Sequence, residues 1–205
     1  MPDEKACLKE LGASARRDGR QLTLGLANGK TKVISDAKEC EDENQEASCI
    51  TYRLVGRLGE QYYIVMVAPY ECAYITLVNR KSGTETELGG WPRLSPDKTR
   101  FVVIEPREPG NCDTKYAIAI FSLIKGSVRL DWQYKPDGFE LYDFDTWNGG
   151  NRLQLQATGA DGKQVASDLT RTAPGWQLKR PNGEVSLGTP TEPAQAKPPN
   201  TPAGR

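Results

Sequence analysis

Trp91-Pro92-Arg93-Leu94-Ser95-Pro96-Asp97-Lys98-Thr99-Arg100-Phe101-Val102-Val103-Ile104 reads as a strand, a tight turn and a second strand. Pro96 presets φ for a turn, and Asp97 has a side chain that hydrogen-bonds its own backbone. The Phe101–Ile104 run that follows is aromatic and β-branched. Related strand–turn–strand units recur on both sides of this stretch, which predicts an all-β repeat protein.

Working outward, Ile50–Leu58 and Tyr62–Ala68 read as strands, and the second is so continuously apolar that it should be buried on both faces. Tyr74–Val78 turns at Ser82-Gly83 and returns as Thr84–Leu88. Downstream, Tyr116–Leu123 turns at Lys125-Gly126 and returns as Ser127–Tyr134. Phe139–Phe144, Arg152–Thr158 and Gln164–Leu169 follow, with a turn at Asp161-Gly162. Gly175–Lys179, Asn182-Gly183 and Glu184–Leu187 complete the series. The segments beginning at Tyr62 and Phe101 align with an offset of about 40 residues, close to one four-stranded propeller blade. A third, looser copy starts near Phe139.

Upstream, Ala6 to Arg17 is the one helical candidate. Gln21–Leu26 and Thr31–Ile34 read as a hairpin around a two-residue Asn28-Gly29 turn. The expected organisation is an N-terminal segment (1–48) with this hairpin and an acidic loop, a β-repeat domain (49–188) and a Pro-rich tail (189–205). The tail has no aromatic residue and is expected to be disordered, with a PPII ligand for a partner domain as the alternative.

The 205 residues carry 27 basic and 27 acidic side chains, a formal net charge of zero. A dedicated nucleic-acid or anionic-membrane binder needs a basic surplus, so neither is expected. No apolar run reaches the ~20 residues of a membrane-spanning helix. The first residues lack the apolar stretch of a signal peptide, so the chain reads either as cytosolic or as a mature exported form.

The cysteines favour export. Cys7, Cys40, Cys49, Cys72 and Cys112 include no Cys-x-x-Cys pair, and there is no histidine, so a structural zinc site is not expected. Cys40 and Cys49 flank a polar loop and are expected to close it, for roughly 3 kcal/mol in the chain-entropy model. Cys72 and Cys112 occupy the same loop of successive repeats and are expected to pair. Cys7 is left odd, either free or a former lipid-attachment site. Five reduced cysteines in the cytosol is the competing reading.

Leu94-Ser95-Pro96-Asp97-Lys98 followed by Phe101-Val102-Val103 resembles the strand–Ser-Pro-Asp-Gly–strand signature of TolB-type β-propellers, with Lys98 where glycine usually stands. Tyr74–Leu88 resembles the preceding hairpin of such blades. Tyr52 to Trp132 as a whole resembles a group of uncharacterised exported bacterial proteins with this strand order. The resemblance implies an extracytoplasmic protein with an interaction role and brings no catalytic residues. The chain has room for three to four propeller-like four-stranded units, so an open, half-propeller or sandwich-like antiparallel meander with little helix is expected rather than a ring.

Without histidine there is no Ser-His-Asp or Cys-His arrangement. The best carboxylate cluster is Glu140-Leu-Tyr-Asp143-Phe-Asp145. Asp143 and Asp145 would make a glycosidase-like pair or a Ca²⁺ site, or else the solvated face of a strand whose other face, Tyr142 and Phe144, is core. The acidic loop of Glu39, Glu41, Asp42, Glu43 and Glu46 lacks the ligand spacing of an EF-hand. Gly89-Gly90 and Gly149-Gly150 have no helix behind them and read as turns. The aromatics Tyr62, Tyr63, Tyr70, Tyr74, Trp91, Trp132, Trp147 and Trp176 are mostly core. No cofactor or metal is expected. The function expected is binding to another protein or a cell-envelope component, through loops around Tyr70, Glu108 and Asn111, in the manner of a periplasmic immunity or inhibitor protein. A carboxylate-dependent hydrolase and a purely structural envelope repeat are the alternatives.

Overall fold

Alternation with a period of two decides where each strand residue goes, because successive side chains point to opposite faces of a sheet. The computed structural model describes residues 3–41, 47–70, 72–105, 115–173, 175–180 and 182–186. After one helix, α1 (Glu4–Leu11), these residues form four antiparallel sheets, none of which closes. The first holds β1 (Ala15–Asp18), β2 (Gln21–Gly25) and β3 (Thr31–Ser35). The second holds β4 (Ile50–Leu58), β5 (Tyr62–Pro69), β6 (Tyr74–Asn79) and β7 (Glu85–Leu88). The third holds β8 (Pro92–Leu94), β9 (Arg100–Ile104), β10 (Ile118–Ile124) and β11 (Ser127–Tyr134). The fourth holds β12 (Leu141–Trp147), β13 (Arg152–Thr158), β14 (Gln164–Thr172), β15 (Gly175–Lys179) and β16 (Val185–Ser186). Within each sheet every strand pairs with its neighbour in sequence. The expected all-β, open antiparallel meander is what the chain forms.

The sheets pack face to face in chain order. Ala15, Leu22 and Leu24 of the first sheet meet Leu54, Tyr63, Val65 and Val78 of the second. Tyr62, Ile64, Ile75 and Leu77, on the opposite face of that second sheet, meet Phe101, Val103, Ala119 and Phe121 of the third. Val102, Ile118, Ile120 and Trp132 of the third sheet then meet Tyr142, Trp147, Leu153, Leu155 and Leu178 of the fourth. The second and third sheets are therefore buried on both faces, which is why β5, β6, β9 and β10 are almost continuously apolar. The outermost faces are largely polar. Arg16 and Thr23 lie outward on the first sheet, and the Arg152–Asp168 pair and Gln154 lie outward on the fourth.

Aromatic side chains carry a hydrogen bond across each of these interfaces. Tyr63 donates to the carbonyls of Ser14 and Gly25 in the first sheet's segment. Tyr62 donates to Gly126 O in the β10–β11 turn, which Asn79 Nδ2 also reaches. Trp147 Nε1 donates to Arg93 O, joining the fourth sheet to the third.

Three local readings change. The helix stops at Leu11, short of the expected Arg17. Gly12, at φ +52°, ends it in a conformation that only glycine adopts cheaply, and its N–H returns to Leu8 O. Ala15–Asp18 then leaves helix for strand because Ala15 and Leu24 share the buried face. The N-terminal hairpin is thus a three-stranded sheet. Its second turn is also one residue longer than expected: Gly29 N–H donates to Leu26 O and Leu26 N–H to Lys30 O, a three-residue loop with glycine in the left-handed position. The same pattern recurs at Asp161-Gly162. The Pro-rich tail lies outside the described residues.

The Ser95–Lys98 turn is built as its sequence requires. Ser95 Oγ donates to Asp97 and accepts from Arg100 N–H, and Asp97 accepts from Thr99 N–H. The Ser95 hydroxyl and that N–H hold the Asp97 carboxyl below its ordinary range. Lys98 closes the turn by donating its N–H to Ser95 O and sits at φ +56°, a left-handed position that costs any residue with a side chain. Replacing it with glycine removes that strain. Lys98→Gly is expected to raise unfolding stability by about 0.5–1 kcal/mol, read as a shift in urea midpoint at unchanged slope.

Candidate functional site

The first strands of the second, third and fourth sheets converge on one groove of about 560 Å³. Val55 comes from β4, Arg93 from β8, and Tyr142, Asp143 and Phe144 from β12. Met66, Ile75 and Ile104 add aliphatic floor, and Tyr74 and Trp91 add aromatic wall. Trp91, just before β8, packs against the core between the second and third sheets, while Arg93 pairs with Val102 on the face toward the fourth sheet. The Arg93 guanidinium lies over the Phe144 ring, 5.6 Å from its centre, within the range of a cation–π contact.

Two glycines deliver Trp91 and Arg93 to this wall. A Cβ on Gly89 would fall 2.3 Å from the Glu105 carboxyl carbon, and one on Gly90 would fall 2.3 Å from Ile104 O. Only glycine lets the β7–β8 connection press this closely on the end of β9. Gly89 N–H donates to the Tyr116 hydroxyl, and Tyr116 N–H donates to Glu105. Burial pushes the Glu105 carboxyl up, against the opposing pull of backbone N–H donors and nearby lysines. Burial also raises the Tyr116 hydroxyl.

Two of the groove residues, Tyr74 and Ile104, lie at one end of the stack. Registers place Pro69, Tyr74, Leu88, Ile104, Ile118, Tyr134, Thr158 and Gln164 at that end. Five of the exposed large hydrophobics, Ile50, Tyr70, Phe139, Val165 and Val185, lie there, against Val33 and Ile124 elsewhere.

Tyr70 is 62% exposed and follows β5, four residues before the groove wall at Tyr74. Glu108 and Asn111 lie outside the described residues. Asp143 borders the groove, and Asp145 sits where β12 bulges between Phe144 and Thr146. Both are exposed, with Tyr142 and Phe144 turned toward the core as the alternation requires. The bulge restores Trp147 to the buried face, which strict alternation would have denied it. Cys40 and Cys49 form the expected disulfide, with Cα atoms 4.6 Å apart. Cys72 is disulfide-bonded, Cys7 is free, and Cys112 lies outside the described residues. Among the described residues no three His, Cys, Asp or Glu side chains are grouped to hold a metal ion.

Sequence reasoning passed over Glu140 as a centre in its own right. Its carboxylate accepts from Tyr134 and Tyr142 at 2.8 and 2.7 Å and from Arg180 at 2.5 and 3.1 Å. Arg180 also lies 5.9 Å from the Tyr134 ring centre. This knot ties the β11–β12 connection to the β15–β16 turn at the groove's end of the stack. Tyr134 and Tyr142 flank Glu140 in sequence, but nothing local identifies Arg180, 40 residues away. Burial alone would raise the Glu140 carboxyl; its three donors outweigh burial and hold it below its ordinary value of 4.5. A depressed folded value means that the stability the knot contributes is present at neutral pH. It is lost as pH falls from about 4.5 through the folded pKa. Glu140→Gln is expected to cost about 2 kcal/mol at pH 7 and to flatten the acid limb of the stability–pH profile. Urea unfolding at pH 7 and pH 3.5 measures both.

No protein-family model, curated protein or solved structure matches the chain.

Proposed function

We propose that the protein is an extracytoplasmic protein-binding module that engages its partner through the end of the stack where Tyr74 and Ile104 of the groove lie. The observation that carries this reading is the concentration of exposed apolar side chains at that one end, around an apolar groove. Scattered surface hydrophobics are ordinary, whereas a shared face of them marks an interaction surface. Tyr70 is well suited to anchor it, being aromatic, exposed and rigid at low entropic cost. In its concrete form the module is a periplasmic immunity or inhibitor protein whose loops, including those of Glu108 and Asn111, occupy an enzyme's active site. Two features support export: the Cys40–Cys49 disulfide with the bonded Cys72, and the resemblance to exported bacterial repeat proteins. Among the described residues no helix is long and apolar enough to cross a membrane.

The test is retention of a stoichiometric partner from a cell-envelope extract by the immobilised, non-reduced protein. Tyr70→Ala and Trp91→Ala are each expected to weaken retention by about tenfold or more, the mark of an interface anchor. A partner held equally well by both variants would place the interface elsewhere. For the compartment, non-reducing peptide mapping is expected to recover the Cys40–Cys49 bridge with Cys7 as the free thiol. Five free thiols in the protein as isolated would overturn the exported reading.

A further inference from the structure

The groove wall holds a cation that has no counter-ion among the described residues. Arg93 lies over the Phe144 ring, and among the described residues it makes no ion pair. Arg17 pairs with Glu4 and Asp36, Arg57 with Glu10 and Glu60, Arg152 with Asp168, and Arg180 with Glu140 and Glu184; Arg16, Arg53 and Arg171 also lack an ion pair among the described residues, but none of these lines the groove. The Arg93 side chain is exposed, and a planar guanidinium offers a fork of N–H donors that matches a planar anion. Around it the groove offers Trp91, Tyr74, Met66, Ile75 and Ile104. The volume of about 560 Å³ accommodates a side chain of tryptophan size with its neighbours.

From this charge complementarity we infer that the groove takes a partner segment in which a large apolar side chain stands beside a carboxylate. The apolar group enters between Trp91 and Phe144, and the carboxylate pairs with Arg93. Asp143 at the rim disfavours a multiply charged anion, which keeps the ligand to one negative charge. The inference rests on the reading of this end as the binding face, and it names what that face selects.

The test uses the full-length protein and two fluorescent probes that share one ring system. 8-Anilinonaphthalene-1-sulfonate carries an anionic head, and N-phenyl-1-naphthylamine carries none. The wild-type protein is expected to bind the sulfonate saturably at one site. Arg93→Gln is expected to weaken the sulfonate at least about fivefold while leaving the neutral probe within about twofold. Trp91→Ala is expected to weaken both. The Arg93 side chain is exposed and its backbone carbonyl is what Trp147 uses, so Arg93→Gln retains the fold, as a urea melt confirms. Competition supplies the second arm: Ac-Gly-Asp-Trp-Gly-NH₂ is expected to displace the sulfonate several-fold better than Ac-Gly-Asn-Trp-Gly-NH₂. Unsaturable binding, an Arg93→Gln variant that holds the sulfonate as tightly as wild type, or two peptides of equal potency would each overturn the inference. None of these readings uses the partner, so failure to retain one from an extract leaves this result distinguishable.

Discussion

β5 is buried from both sides, and the rest of the stack follows from that. Tyr62 and Tyr63 are adjacent, so they point to opposite faces, and each is at most 2% exposed. Each ring contributes apolar area to a different core, and each hydroxyl finds a carbonyl in a different neighbouring sheet. A tyrosine hydroxyl buried without a partner costs about 1–3 kcal/mol, so a sheet that slips by one residue loses both bonds and exchanges both faces. Two consecutive tyrosines thereby fix the order first sheet, second sheet, third sheet. Trp147, returned to the core by the Asp145 bulge, does the same between third and fourth.

The groove is a by-product of this stacking. Sheets that pack face to face in chain order bring their first strands, β4, β8 and β12, toward a common edge. There β8 is short, and the connection that precedes it is pressed onto β9 by two glycines. The resulting gap reaches two core residues, Val55 and Ile75, and side chains that the edge leaves half-covered, Trp91 and Phe144. Apolar character and accessibility coincide here because an edge strand of three residues cannot cover what a longer one would.

Most of the scaffold was legible in the sequence. The double-sided burial of Tyr62–Ala68 showed as an unbroken apolar run, and the Tyr62 and Phe101 repeats correspond to the second and third sheets, strand for strand. What local reading could not supply was long-range. Ala15–Asp18 looked helical because alanine and arginine favour helix, and only the shared burial of Ala15 and Leu24 makes it a strand. Lys98 stands where glycine is usual, and only the folded turn shows that the chain holds it left-handed. Tyr70 was singled out by its loop position, and it is exposed there. Arg93 was read only as part of a hairpin and Trp91 only as one of several aromatics, because the meeting of Arg93 with Phe144 depends on how two separate sheets abut. Glu140 was weighed as one acid in an acidic run, and its partner Arg180 is invisible at that distance in sequence.

Burial of the second sheet on both faces also has a consequence in time. A chain that emerges from a membrane N-terminus first lets β4–β7 pair as soon as Leu88 is out, with α1 and the first sheet already available to cover Leu54, Tyr63 and Val65. The opposite face, Tyr62, Ile64, Ile75 and Leu77, has no cover until Phe101 to Phe121 have followed. In that interval an apolar sheet face stands open. The sheet most firmly enclosed in the finished protein is the one most exposed to wrong partners before the chain is complete.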